Sequence, residues 1–174
     1  MGVAPHRRRR RHRSHHPAPP SRFVQLAPEL MQDMMDTFDL TPVQAAAIIG
    51  NLGTESQGFT AYHEHGQAEN KGGYGWAQWT ASRRVSFFAW ADAHHLDRRS
   101  DAASLGYLEH ELKTTHKRSI TLLKQQTELF AATHSFMKHF EGPGIANESD
   151  RQSNARIALN QYNALHPPQA PGGQ

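Results

Sequence analysis

The chain has 174 residues, 13 histidines, no cysteine and a formal net charge of +3. That length suits one compact domain with a short appendage, and a domain of about 150 residues buries roughly 70% of its unfolded surface without needing disulfides or a structural metal. The missing cysteine excludes disulfides and cysteine-ligated zinc, and it fits folding in a reducing cytoplasm.

The charge is unevenly placed. Residues 1–22 hold seven arginines and no acid, whereas the remainder holds 12 Lys and Arg against 16 Asp and Glu. No stretch approaches the ~20 apolar residues of a membrane span; the most apolar stretch is Ala45–Ala46–Ala47–Ile48–Ile49. The basic N-terminus leads into His15–His16–Pro17–Ala18–Pro19–Pro20 rather than an apolar core. No secretory signal is therefore expected.

In chain order, residues 1–21 are read as a disordered Arg/His/Pro-rich basic arm, 22–166 as the folded domain and 167–174 as a disordered tail. Pro28 suits the first turn of a helix carrying Leu30, Met31, Met34, Met35 and Phe38. Thr41–Pro42–Val43–Gln44 is a capping-box signature. The helix it opens is apolar through Ile48, Ile49 and Leu52 and should run to about Glu55, with Gly58 ending it. Residues 58–80 are punctuated by Gly66, Gly72, Gly73 and Gly75 and read as a loop or small β-hairpin. Helical spacing resumes after Thr80, with Val85, Phe88 and Ala89 on one face. Further helices are expected from near Ser100 (Leu105, Leu108, Leu112), from near Thr127 to a stop at Gly142–Pro143–Gly144, and over roughly Asp150 to Leu165. The fold class is thus α+β, mostly helical, with a small β-hairpin region after the second helix.

Glu55 is the residue on which chemistry would turn. Apolar neighbours and the negative end of a helix both favour the neutral carboxyl. A carboxylic acid that keeps its proton near neutral pH is what breaking a glycosidic bond requires. The segment after it, Gly72–Gly73–Tyr74–Gly75–Trp76–Ala77–Gln78–Trp79–Thr80, has glycines that let a ligand approach the backbone. Its aromatics Tyr74, Trp76 and Trp79 offer faces that stack on sugars, and Gln78 offers a donor and an acceptor. Trp76 and Trp79 are expected to split, one buried and one lining a cleft. The plainer reading is a solvated glutamate followed by a hairpin whose aromatics fill the core.

Ile49–Gly50–Asn51–Leu52 with Glu55–Ser56, then Gly73–Tyr74–Gly75–Trp76–Ala77–Gln78–Trp79 with Ser82–Arg83–Arg84, resembles the phage tail lysozyme domain of the lysozyme-like superfamily. Leu108–Glu109–His110–Glu111–Leu112 and Phe140–Glu141–Gly142–Pro143–Gly144 agree with it. The resemblance covers about residues 28–165. It implies a lysozyme-like fold, cleavage of the peptidoglycan glycan strand, and Glu55 as the catalytic acid. Small phage lysozymes space Glu, Asp and Thr through a hairpin in a similar way; Glu64 and Asn70 match that spacing only. Glu64 is then the candidate second carboxylate, helping the attacking water, with Asn70 assisting and Glu69 as runner-up. An acid acting alone is the other option.

The arm residues Arg7, Arg8, Arg9, Arg10, Arg11 and Arg13 could bind any polyanion. In a wall-lytic enzyme an anionic envelope, lipopolysaccharide or lipid, is favoured over nucleic acid; a plain solubilising tail is the alternative. His63–Glu64–His65 invites a zinc reading, but there is no His-Glu-x-x-His and no evident third ligand. No metal and no cofactor are expected. The expectation is therefore a monomeric small endolysin acting on bacterial peptidoglycan, made in the host bacterial cytoplasm and released to the wall. A virion module is the alternative location. A lytic transglycosylase using the same glutamate is the nearest alternative activity. A zinc amidase or a non-catalytic polyanion-binding virion protein would be a different class.

Overall fold

A computed structural model describes residues 20–142 and 146–169. Seven α-helices follow one another among them: α1 (Arg22–Phe38), α2 (Pro42–Glu55), α3 (Ala81–Ala93), α4 (Asp101–Lys113), α5 (Lys117–Leu123), α6 (Leu129–Phe136) and α7 (Glu148–Leu165). A π-helical turn, Met137–Glu141, continues α6.

The central element is α2. Its entry is a full capping box: Thr41 Oγ1 accepts from Gln44 N at 3.3 Å, and Thr41 N donates to Gln44 Oε1 at 3.1 Å. Every residue from Gln44 to Gly53 is buried. A helix apolar on all sides must be surrounded, and α1, α6 and α7 pack around this one. Gly50 sets how close α7 comes. A Cβ there would lie 2.5 Å from the Ala155 amide nitrogen, so only glycine permits this crossing. α7 answers with a buried face of Arg151, Ala155, Ala158, Leu159 and Tyr162.

Three sequence expectations are corrected. First, α1 begins at Arg22, not near Pro28; Ser21 caps it by accepting from Val24 N. The apolar face Phe23, Ala27, Leu30, Met31 and Met34 carries the helix through Pro28, which lies inside it. Packing thus outweighs the proline penalty. Second, α3 buries Phe87 and Ala91, while Val85 is 63% exposed.

The third correction concerns fold class. No strand forms among the described residues, so the α+β reading with a β-hairpin gives way to an all-helical fold with one irregular loop. The loop holds only isolated bridges, His63 to Tyr74 and Tyr74 to Trp79. Left-handed backbone at Gly66, Gly72, Gly75 and Gln78 turns the chain before a ladder can extend. The loop is tied instead by single bonds: Glu64 N to Gly73 O (2.8 Å), Gly75 N to Tyr62 O (2.7 Å), and a mutual pair between Tyr74 and Trp79 (3.0 and 2.9 Å).

Residues 1–19 lie outside the described residues, and with them Arg7, Arg8, Arg9, Arg10, Arg11 and Arg13. No helix among the described residues is long and apolar enough to cross a membrane.

Candidate active site

A two-lobed cleft opens where α2 ends. One lobe, about 390 Å³, is lined by Glu55, Glu64, Gly73, Ala77, Gln78, Trp79, Thr80, Arg83 and Glu141. The other, about 480 Å³, shares Glu55, Glu64 and Gln78 and adds Gln57, Ala61, His63 and His65. A larger hollow of about 630 Å³ lies away from it, along Leu129, Phe130, Gln152 and Arg156. That hollow has only Glu148 and Arg156 as charged lining groups. The chemistry is therefore concentrated in the two smaller lobes.

Glu55 is the last residue of α2 and lines both lobes. It does not sit among apolar neighbours alone, as the sequence suggested. Its Oε1 is paired with the Arg151 guanidinium, whose side chain is only 2% exposed. The same guanidinium donates to Asn51 Oδ1 at 3.1 Å and to Ala146 O at 3.2 Å. Asn51 is fully buried and donates to Ala47 O (2.8 Å) and Thr133 O (3.2 Å). Helices α2, α6 and α7 therefore meet in one polar network that ends at the Glu55 carboxylate.

Glu141 closes the π-helical turn on the other side. Such turns recur at functional sites because they re-aim a side chain. Its Oε1 is shut off from solvent and has no hydrogen-bond partner among the described residues. Burial pushes its carboxyl up to about 8, the charge of Glu55 adds to that, and Arg151 and Arg83 act against it. Arg83 anchors this corner. It forks onto the buried Glu111 carboxylate at 3.0 and 2.8 Å and donates to Phe140 O at 3.1 Å. Glu111 also accepts from Trp79 Nε1 at 2.6 Å.

The loop wall is looser. Glu64 is exposed and accepts from Gly73 N at 2.9 Å. Gln78 is half-buried and donates to Gly75 O at 2.9 Å. Asn70 is exposed on its turn and lines neither lobe. Glu69 belongs to a surface cluster, held by Arg99 (2.9 Å) and Tyr74 (3.0 Å); the Arg99 bond lowers its carboxyl below the usual range. The aromatics do not split. Tyr74, Trp76 and Trp79 are all buried, packed on Phe87 and Phe88, on Phe59, and on Phe87 and Tyr107 respectively. Trp79 still contributes to the cleft wall. His63 stacks on Tyr74 and its Nε2 meets Lys71 O at 2.9 Å. Among the described residues no three His, Asp or Glu side chains are grouped to hold a metal ion.

The match to the phage tail lysozyme family model runs over residues 26–162, nearly the whole helical body. The chain belongs to the phage tail lysozyme family. Membership makes it a lysozyme-like protein whose substrate is the peptidoglycan of the bacterial wall. No curated protein matches the chain.

Two residues of this family member's site, Glu141 in the cleft wall and Arg151 buried behind Glu55, have only faint signals in the sequence. Glu141 carries one local signal, a glutamate just before Gly142–Pro143–Gly144 at a helix stop. Arg151 had a clearer signal. It occupies the first position of the i, i+4, i+7, i+8 pattern that buries α7, and a cation there demands a buried acid.

Proposed function

We propose that this domain hydrolyses the glycan strand of peptidoglycan between its two amino sugars, with Glu55 as the general acid. What carries the reading is position. Glu55 lines both lobes, so a strand lying along the cleft has its bridging oxygen beside that carboxyl. Each lobe is within the range of small-molecule sites, about 300–1,000 Å³. The groups around the lobes are mostly polar and suit a hydroxyl-rich chain: Glu64, Gln78, Thr80 and Arg83. Glu55 protonates the leaving oxygen, the bond from the anomeric carbon breaks, and Arg151 receives the new carboxylate. Water then adds to the anomeric carbon. A role as a released endolysin on the cell wall goes with this reading.

The test is Glu55→Gln assayed on purified peptidoglycan. General acid catalysis contributes roughly 10²–10⁴-fold, so clearing of a wall suspension should fall at least a hundredfold while far-ultraviolet circular dichroism stays unchanged. A folded Glu55→Gln protein with full activity would overturn the assignment. Mass spectrometry of the fragments separates mechanisms: reducing ends support hydrolysis, and anhydro ends would make the domain a transglycosylase.

A further inference from the structure

A difficulty in the proposed chemistry points further. The acid must carry a proton, yet Glu55 rests against a guanidinium. Lining the same lobe is a second carboxyl, Glu141, one oxygen of which is buried and has no hydrogen-bond partner among the described residues. An unsatisfied buried carboxylate oxygen is costly. The same oxygen bearing a proton is a donor beside the lobe that Glu55 also lines.

We propose that Glu55 and Glu141 hold a single proton between them, with Glu141 as the proton-holding partner that keeps Glu55 supplied. This rests on Glu55 being the acid. Glu141 is a positioning residue, because it acts through Glu55 and not on the sugar. The step balances. Glu141 passes its proton to Glu55, and Glu55 passes it to the leaving oxygen as the bond to the anomeric carbon breaks. The water that adds there returns one proton to the pair. Two nearby carboxyls of unequal surroundings titrate as a unit, and the second proton leaves only at high pH.

The groups facing Glu141 support this order. From α2 comes Glu55, a like charge that keeps the proton on the pair. Arg151 of α7 and Arg83 of α3 favour ionisation, but Arg151 is engaged with Glu55 and Asn51, and Arg83 with Glu111 of α4. His116, ahead of α5, lies edge-on to Phe140 and faces Glu111; burial and Arg83 hold it below the usual histidine range. Glu64 lines the lobe from the loop side. Each arginine already carries a carboxylate partner of its own, and burial outweighs their pull on Glu141.

The experiment is the pH dependence of kcat/KM on purified peptidoglycan for the wild type and Glu141→Gln. The alkaline limb of the wild type should lie near pH 8. Without the Glu141 carboxyl to hold it, the pair's proton is lost at lower pH, so the Glu141→Gln limb should move down by a pH unit or more. Activity at pH 8 relative to each protein's own optimum should then drop about fivefold or more. A limb that does not move overturns the proposal, whatever the absolute activity. Should Glu141→Gln fail to fold, carbon-13 NMR of glutamate-labelled protein decides. A carboxyl titrating near 8 in the wild type that moves down in Glu55→Gln supports the pair. No such carboxyl, or one unmoved by Glu55→Gln, overturns it. An active Glu55→Gln protein defeats the acid assignment itself; an inactive one beside an unmoved limb defeats only the pairing.

Discussion

The helical wall of the cleft is held by charge and the loop wall by backbone. On the helical side two hydrogen-bonded sets, Glu55–Arg151–Asn51 and Arg83–Glu111, come from four helices and each fixes its own members, with Glu141 of the π-helical turn lining the same lobe as Glu55 and Arg83. On the loop side Glu64 and Gln78 each lean on one nearby loop backbone group and face water. A buried network has one low-energy arrangement, because each broken bond leaves a desolvated group. An exposed side chain gives up little when it moves. The contrast suggests a division of labour: proton chemistry on the rigid wall, adaptable contact with the sugar chain on the loop.

The sharpest way to break that contrast is Arg151→Ala. It leaves the Glu55 carboxylate and the fully buried Asn51 oxygen without their cation. Breaking a buried pair costs about 3–5 kcal/mol. Because the Glu55 side chain is 19% exposed, the lower end is expected, about 3 kcal/mol. Urea denaturation at neutral pH reads it directly. A loss below about 1 kcal/mol would show that packing of α2 on α7, not charge, holds the wall.

A gentler probe of the same wall is stability against pH. Folding raises the Glu141 carboxyl from 4.5 to about 8. Between those values the folded state binds more protons than the unfolded state, so stability falls as pH rises. The sign is opposite to that of an ordinary ion-paired carboxylate. Glu141→Gln removes this contribution. Its stability relative to the wild type should improve by more than about 1 kcal/mol between pH 5 and pH 8, measured by thermal or urea unfolding. Parallel curves for the two proteins would mean that Glu141 ionises in the folded state as easily as in the unfolded chain.

Much of the scaffold was legible from local chemistry. The capping box Thr41–Gln44 and the apolar run behind it mark α2 and its end at Glu55, and Ser100 marks the start of α4, because caps and periodicity are written within one turn of chain. The start of α1 was not legible. Pro28 looks like a helix opening, and only the packing of Phe23 and Ala27 carries the helix back to Ser21. The loop misled for a related reason. Alternating aromatics separated by glycines fit a hairpin, yet Tyr74 and Trp79 point into a core built by α3 and α4. In the site, the place of Glu55 at a helix end gave a physical reason for an acid, and the family resemblance is what singled it out. Arg151 and Glu141 lie 96 and 86 residues from it in sequence, and only the tertiary fold brings them to the cleft.

The loop wall supplies the smallest expected effect and the last check on the division of labour. Glu64→Gln keeps an oxygen that can accept from Gly73 N, so the loop should hold its shape. What is lost is charge toward the attacking water or the sugar hydroxyls. A lost polar contact of this kind is worth about 1 kcal/mol, roughly a fivefold fall in kcat/KM. Asn70→Ala, on an exposed turn outside both lobes, should change neither activity nor stability beyond about 0.5 kcal/mol. The ratio of these two effects locates the loop's contribution. A hundredfold loss in Glu64→Gln would make Glu64 a full second carboxylate and move half of the chemistry onto the loop. No loss at all would leave Glu64 a surface residue and confine the working acids to the helical wall.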